Sequence, residues 1–148
     1  MNVIEKLRSI LNGFPKISEV CNEIHVDFAE PNPESYGLSS LGDKLISEDI
    51  TGSQQRQHNF MLYSVFSGIN DYERLLNSEI LLELTNWLEL QSGSEIEYNI
   101  ENTHKKGIIT KIIAENGMIY SVPQENEIGG LMYQLQINVE YKIESEEL

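Results

Sequence analysis

Gly52-Ser53-Gln54-Gln55-Arg56-Gln57-His58-Asn59-Phe60-Met61-Leu62-Tyr63-Ser64-Val65-Phe66 is the stretch from which the fold is read. Gly52 marks a turn, and a long strand follows that starts polar and becomes apolar and aromatic. Side chains alternate along a strand, so Phe60, Leu62, Ser64 and Phe66 share one face and Met61, Tyr63 and Val65 the other. Both faces are apolar at that end. The strand is therefore expected to be central in its sheet, or covered on one face by another subunit.

Ser67-Gly68 ends the strand, and a leucine-rich helix is expected over 69–91. Asp71 and Glu73 suit its N-terminal dipole. Tyr72, Leu76, Ile80, Leu84 and Trp87 or Leu88 make one apolar stripe. Leu75, Leu81, Leu82 and Leu90 widen it well beyond one face, which suits a helix with more than one neighbour. A sheet on one side and a second protomer on the other would satisfy it, and so would deep burial in a monomer. Glu79 and Glu83 lie four apart and repel mildly, a cost that a basic partner would offset.

On the N-terminal side, Val3, Ile4, Leu7, Ile10 and Leu11 form one helical stripe over 2–12, stopped by Gly13 and Pro15. Ile24, Val26 and Phe28 alternate as a half-buried strand, ended by Pro31 and Pro33. Tyr36 to Leu41 reads as a short strand or irregular chain, and Leu45 to Thr51 as a weak strand.

On the C-terminal side, 98–103 has no clear pattern. Gly107 to Glu115 is rich in β-branched residues, and Asn116-Gly117 signals a type I′ turn. A hairpin returning through Met118 to Val122 is expected. A polar loop with Glu125 and Glu127 follows. From Met132 to Ile143, Tyr133, Leu135, Ile137, Val139, Tyr141 and Ile143 lie on one face of the most regular strand in the chain. Glu144 to Leu148 forms a short acidic tail. The expected architecture is α+β: a mostly antiparallel sheet in a single domain, 1–148, with an N-terminal helix and one main helix packed on it.

The formal net charge of −14 argues against free nucleic-acid binding, which needs clusters of Lys and Arg. Between Asp71 and Glu101 the sole base is Arg74. Lys105-Lys106, beside His104, is the one adjacent basic pair and reads as an exposed loop suited to a subunit or tube contact. Arg56 and His58 share the Phe60 face; Arg56 is expected to pair with a carboxylate across the sheet or on a neighbouring protomer. The polar segments 42–54 and 123–130 are further contact candidates. Cys21 is the lone cysteine, so no intrachain disulfide forms. No apolar run spans a membrane, and residues 1–8 lack a signal-peptide pattern, so a soluble protein made in a cytoplasm is expected.

His25, His58 and His104 have no ligand-spaced neighbours, and no zinc, nucleophile-elbow or phosphate-loop motif occurs. No catalytic, cofactor-binding or metal residues are assigned, and the chain is not expected to be an enzyme.

The ordered set resembles the tail-terminator and minor capsid proteins of long-tailed phages of Gram-positive bacteria. The residues that carry it are Ile24 to Phe28, Asp49-Ile50-Thr51-Gly52-Ser53 leading to Arg56-Gln57 and Phe60, and Asn77-Ser78 through Trp87-Leu88. The hairpin and the final alternating strand complete it. The resemblance implies a six-fold homo-oligomeric ring at the head-proximal end of a tail tube, in the virion. Such a ring stops tube polymerisation, contacts the tube protein and a head-completion or neck protein, and passes DNA through its lumen without binding it specifically. It implies no cofactor and no membrane. Candidate interface residues are Arg56, His58, Glu79, Glu83, Trp87, Lys105, Lys106, Glu125 and Glu127. Another neck or minor capsid component, or an unrelated acidic protein-interaction module, are the alternatives.

Overall fold

The computed structural model describes residues 1–18, 24–26, 35–66, 71–100, 102–121 and 131–145. In chain order these form α1 (Val3–Asn12), α2 (Pro15–Ser18), β1 (His25–Val26), β2 (Ser35–Glu48), β3 (Gln54–Phe66), α3 (Asp71–Glu89), β4 (Glu95–Ile100), β5 (Thr103–Ser121) and β6 (Leu131–Ile143). The strands make one six-stranded sheet in the order β1-β2-β3-β6-β5-β4. β1 runs parallel to β2, and every other pair is antiparallel. β3 is internal, between β2 and β6, as its two apolar faces led one to expect.

The α+β expectation is overturned: the protein is mostly β, 57% strand against 26% helix, built on a curled sheet. The excess strand comes from segments whose local pattern was weak. Ser35–Glu48 is one strand of 14 residues rather than two fragments, and Glu95–Ile100 pairs with β5. β2 stays continuous because β3 supplies a ladder along its length, with bulges between Ser40 and Gly42 and between Leu45 and Ser47.

The expected hairpin at Asn116-Gly117 does not form either. β5 runs straight through it for 19 residues, pairing with β6 on both sides. Glu115 faces Gln136 and Met118 faces Gln134, so the dipeptide inserts one extra residue as a bulge, with Asn116 at φ 58°. Asn tolerates that left-handed backbone. The turn signal was a real conformational signal, but β6 offered a partner on both sides of it.

α1 begins at Asn2, whose side chain accepts a 2.9 Å bond from the Glu5 amide, and ends at Gly13, whose amide donates to the Ile10 carbonyl. Pro15 opens α2 at the position where a missing N–H costs nothing. Leu7, Leu11, Leu62, Leu84, Leu88 and Ile137 belong to one buried cluster between the helices and the inner face of the sheet. The alternating β6 face is buried from Tyr133 to Ile143. Gly107 is required where β5 crosses close to its neighbours: a Cβ there would sit 2.8 Å from the Lys142 carbonyl oxygen.

α3 buries Asn77, Leu81, Leu84 and Leu88 and leaves Leu75, Leu76 and Leu82 exposed, as is Leu90 just beyond its end. Beyond Leu38, β2 has β3 on one side and no strand among the described residues on the other. Phe28, the 67–70 boundary, the loop with Glu125 and Glu127, and the last three residues of the tail lie outside the described residues.

A polar clasp as the candidate functional site

The inner face of β3 changes chemistry along its length, from Arg56 and His58 to Phe60, Leu62 and Phe66. Strand pairing sets the polar end against two neighbours. Asp43 on β2 lies opposite His58, and Tyr141 on β6 lies opposite Arg56. Residues in register share a face, so four polar side chains from three strands converge without any loop to arrange them.

Asp43 is the hub. Its Oδ1 accepts from Arg56 Nε at 2.7 Å, and its Oδ2 faces His58 Nδ1 at 3.0 Å. The Tyr141 hydroxyl also donates to Oδ2. Arg56 donates a second bond, from Nη1 to Gln54 Oε1 at 3.1 Å, and lies 5.7 Å from the ring centroid of Tyr98 on β4. That cation–π contact brings β4, three strands away in sheet order, over the inner face of β3. The curl of the sheet makes it possible.

His58 is buried and stacks on Phe60 at 4.5 Å. A carboxylate only accepts, so His58 Nδ1 is the donor to Asp43. Its Nε2 lies 2.5 Å from Ser40 Oγ. Ser40 itself is exposed, at the bulge of β2. A cavity of about 300 Å³ adjoins the cluster, walled by Val3, Ile96, Tyr98 and Tyr141.

The electrostatics follow from this packing. Burial pushes the Asp43 carboxyl up, but the hydrogen bonds from Tyr141, Arg56 and His58 together outweigh it and hold the group below the usual aspartate range. Burial and the hydrogen bond to Asp43 both push the Tyr141 phenol well above its ordinary value. Arg56 stays charged; burial opposes its charge, and the Asp43 carboxylate more than compensates.

Ser40, His58 and Asp43 have the connectivity of a nucleophile, a base and an orienting acid. In that chemistry the carboxylate stabilises an imidazolium as it forms. Here Asp43 also pairs with the Arg56 guanidinium at 2.7 Å and accepts from the Tyr141 hydroxyl, so one carboxylate serves three donors. The arrangement is suited to holding β2, β3 and β6 together at the polar end of the inner face.

The other residues singled out from sequence lie elsewhere. Glu79 is exposed on α3. Glu83 pairs with Lys16 on α2 at 2.8 Å. Trp87 is half-buried and edge-on to Phe14, with ring centroids 5.3 Å apart. Lys105 and Lys106 sit in β5 opposite Tyr98 and Glu97, not in a loop. Of the 42–54 segment, most is strand. Asp43, Ser40 and Tyr141 were not singled out from sequence; the signal that could have found them is the polar break in three otherwise apolar faces. No cluster of His, Cys, Asp and Glu among the described residues could hold a metal ion, and no described helix is long and apolar enough to cross a membrane.

Compared with family models, curated proteins and solved structures, the chain matches none.

Proposed function

We propose that this chain is a structural virion protein that assembles into a ring at the head-proximal end of a phage tail tube. The ring stops tube polymerisation and offers a surface to a head-completion or neck protein. DNA passes through its lumen without specific binding. No catalysis is part of the proposal.

The observation that carries this reading is uncovered apolar surface on two elements of an acidic chain. Leu75 and Leu82 lie open on α3, and Leu41 and Leu45 on the outer strand β2. Large apolar patches on a soluble surface mark interaction sites. The sequence resemblance supplies the kind of partner: copies of the chain itself, then the tube. One component of that resemblance, the hairpin at Asn116-Gly117, is a continuous strand in the structure. The long strand, the helix and the final alternating strand keep their order.

The test is the mass and shape of the purified protein across salt, by native mass spectrometry and negative-stain microscopy, alone and with purified tail tubes. At −14 per copy, ring closure is opposed by charge repulsion, so salt near 0.3 M promotes it by screening. A closed ring, alone or on tube ends, supports the reading. A monomer in every condition, tubes included, refutes it.

A further inference from the structure

Ser40 is exposed and His58 is buried. Ser40 Oγ lies 2.5 Å from His58 Nε2, and His58 Nδ1 lies 3.0 Å from Asp43 Oδ2. Two paired strands thus build a hydroxyl, imidazole and carboxylate relay that opens to solvent at its hydroxyl end. Register sets it: Ser40 stands opposite Phe60 and Asp43 opposite His58, on the inner face.

Each member is held in the state that nucleophilic chemistry needs. An ionised Asp43 only accepts, so the Nδ1 proton of His58 is spent on it and Nε2 carries the lone pair. Ser40 is then the donor to Nε2, with its proton already directed at a base. Stacking on Phe60 at 4.5 Å keeps the buried ring from turning away. Arg56 and Tyr141 hydrogen-bond the same carboxylate, which fixes it and keeps it ionised. Arg56 also weakens the support that Asp43 gives an imidazolium, so the site suits strongly activated reagents.

The serine sits at a break in the ladder. Pairing skips from Ser40 with Phe60 to Gly42 with Asn59, which makes Leu41 the extra residue of a bulge. Bulges re-aim side chains and are common beside active sites. Leu41 also supplies the amide that follows the serine, a usual position for an oxyanion donor. The cavity beside the clasp is lined by His58 and not by Ser40. A group attached to Ser40 therefore lies on the open strand, a setting for small reagents.

We propose that Ser40 is a nucleophile towards small activated acyl esters, with His58 as its general base and Asp43 as the positioning residue. The Ser40 oxygen bonds to the acyl carbon as its proton passes to His58 Nε2. The ester C–O bond breaks, and the leaving alkoxide takes that proton from His58. Water then gives a proton to His58 and attacks the acyl-serine; the carboxylic acid leaves and His58 returns the proton to Ser40. This activity goes beyond the structural role proposed above and belongs to a single copy of the chain.

Two probes test it on the full chain: a small alkyl fluorophosphonate, from which a nucleophilic serine displaces fluoride, and p-nitrophenyl acetate. The fluorophosphonate is expected to label Ser40 at least about a hundredfold faster than Ser47, as read by peptide mapping. Ser47 is an exposed serine of the same strand with Gln55, not a histidine, opposite. In urea the preference disappears. Release of p-nitrophenol falls at least about tenfold in Ser40→Ala and in His58→Gln, with the fold checked by circular dichroism. Should His58→Gln not fold, the ratio of Ser40 to Ser47 labelling still decides. Equal labelling of the two serines, a preference that survives unfolding, or release undiminished in Ser40→Ala overturns the proposal and leaves the ring reading standing.

Discussion

Tyr133 and Tyr141 lie on the same face of the same strand, both buried, yet they belong to different kinds of interior. Tyr141 donates its hydroxyl to Asp43 and helps close the clasp. Tyr133 packs edge-on to Phe66, with centroids 5.5 Å apart, and its hydroxyl has no hydrogen-bond partner among the described residues. Ser64, directly opposite it, is likewise buried and unpartnered. One end of the sheet is held by ring packing and apolar area, the other by apolar area together with directed polar bonds. The lesson is that alternation fixes which side chains are inside, while strand register decides whether a polar group inside finds a partner.

The largest effect is expected between the two ends. Phe60 is fully buried where polar meets apolar, stacked on His58. Phe60→Ala should cost about 3–5 kcal/mol through lost transfer energy and the cavity left behind, read by urea unfolding. A loss below about 1 kcal/mol would mean that the interior collapses freely around it. Asp43→Ala comes next, at roughly 2–3 kcal/mol, because it strands the Arg56 guanidinium and two further donors. Asn at the same position should recover part of this by keeping an acceptor.

The same carboxylate sets a pH dependence. A group held below its unfolded value stabilises the fold above that value, and the contribution is lost as pH falls through the depressed folded one. Asp43 therefore supports the fold above about pH 4 and withdraws that support below it. In Asp43→Asn the acid limb of the urea midpoint should flatten. An unchanged slope would place the acid sensitivity in other carboxylates.

Two smaller changes sharpen the contrast. Tyr141→Phe removes a hydrogen bond to a charged acceptor and should cost about 1–2 kcal/mol. Tyr133→Phe removes the same atom from the other end and should cost less than about 0.5 kcal/mol, or stabilise slightly, because that hydroxyl is desolvated without a partner. Equal losses from the pair would erase the distinction between the two ends.

Much of the fold was legible, for a stated reason. β3, β6 and α1 carry strong periodicity, and the structure has them nearly to the residue. Their faces follow, down to the burial of Phe60 and the whole Tyr133 to Ile143 row. β2 and β4 were obscure because their apolar residues are broken by Asp43, Lys44, Glu97 and Asn99, and because pairing, not composition, makes them strands. That balance is why the chain is mostly β. Asn116-Gly117 misled because a bulge and a tight turn ask for the same backbone.

The clasp was half legible. Arg56 and His58 stood out on one face, and Arg56 did find a carboxylate on the adjacent strand. Which acid it finds depends on the β2–β3 register, with its two bulges, and that is set over the whole hairpin. Tyr141 was read as one more apolar position on β6, since alternation does not distinguish a phenol that packs from one that donates.

The sheet order also bears on how fast the molecule comes together. β3 pairs along its full length with β6, the last strand in chain order, so Gln54 must meet Ile143 after everything between them has been threaded past. Topologies dominated by such distant pairings fold slowly, since the entropy of closing the loop is spent before the ladder forms. The β2–β3 hairpin, joined through the short turn at Asp49 to Ser53, closes a far smaller loop. In the interval the bare margin of β3 is exposed to any other extended segment, including the same margin on a neighbouring chain. Refolding at low protein concentration should accordingly return more native material than refolding at high concentration.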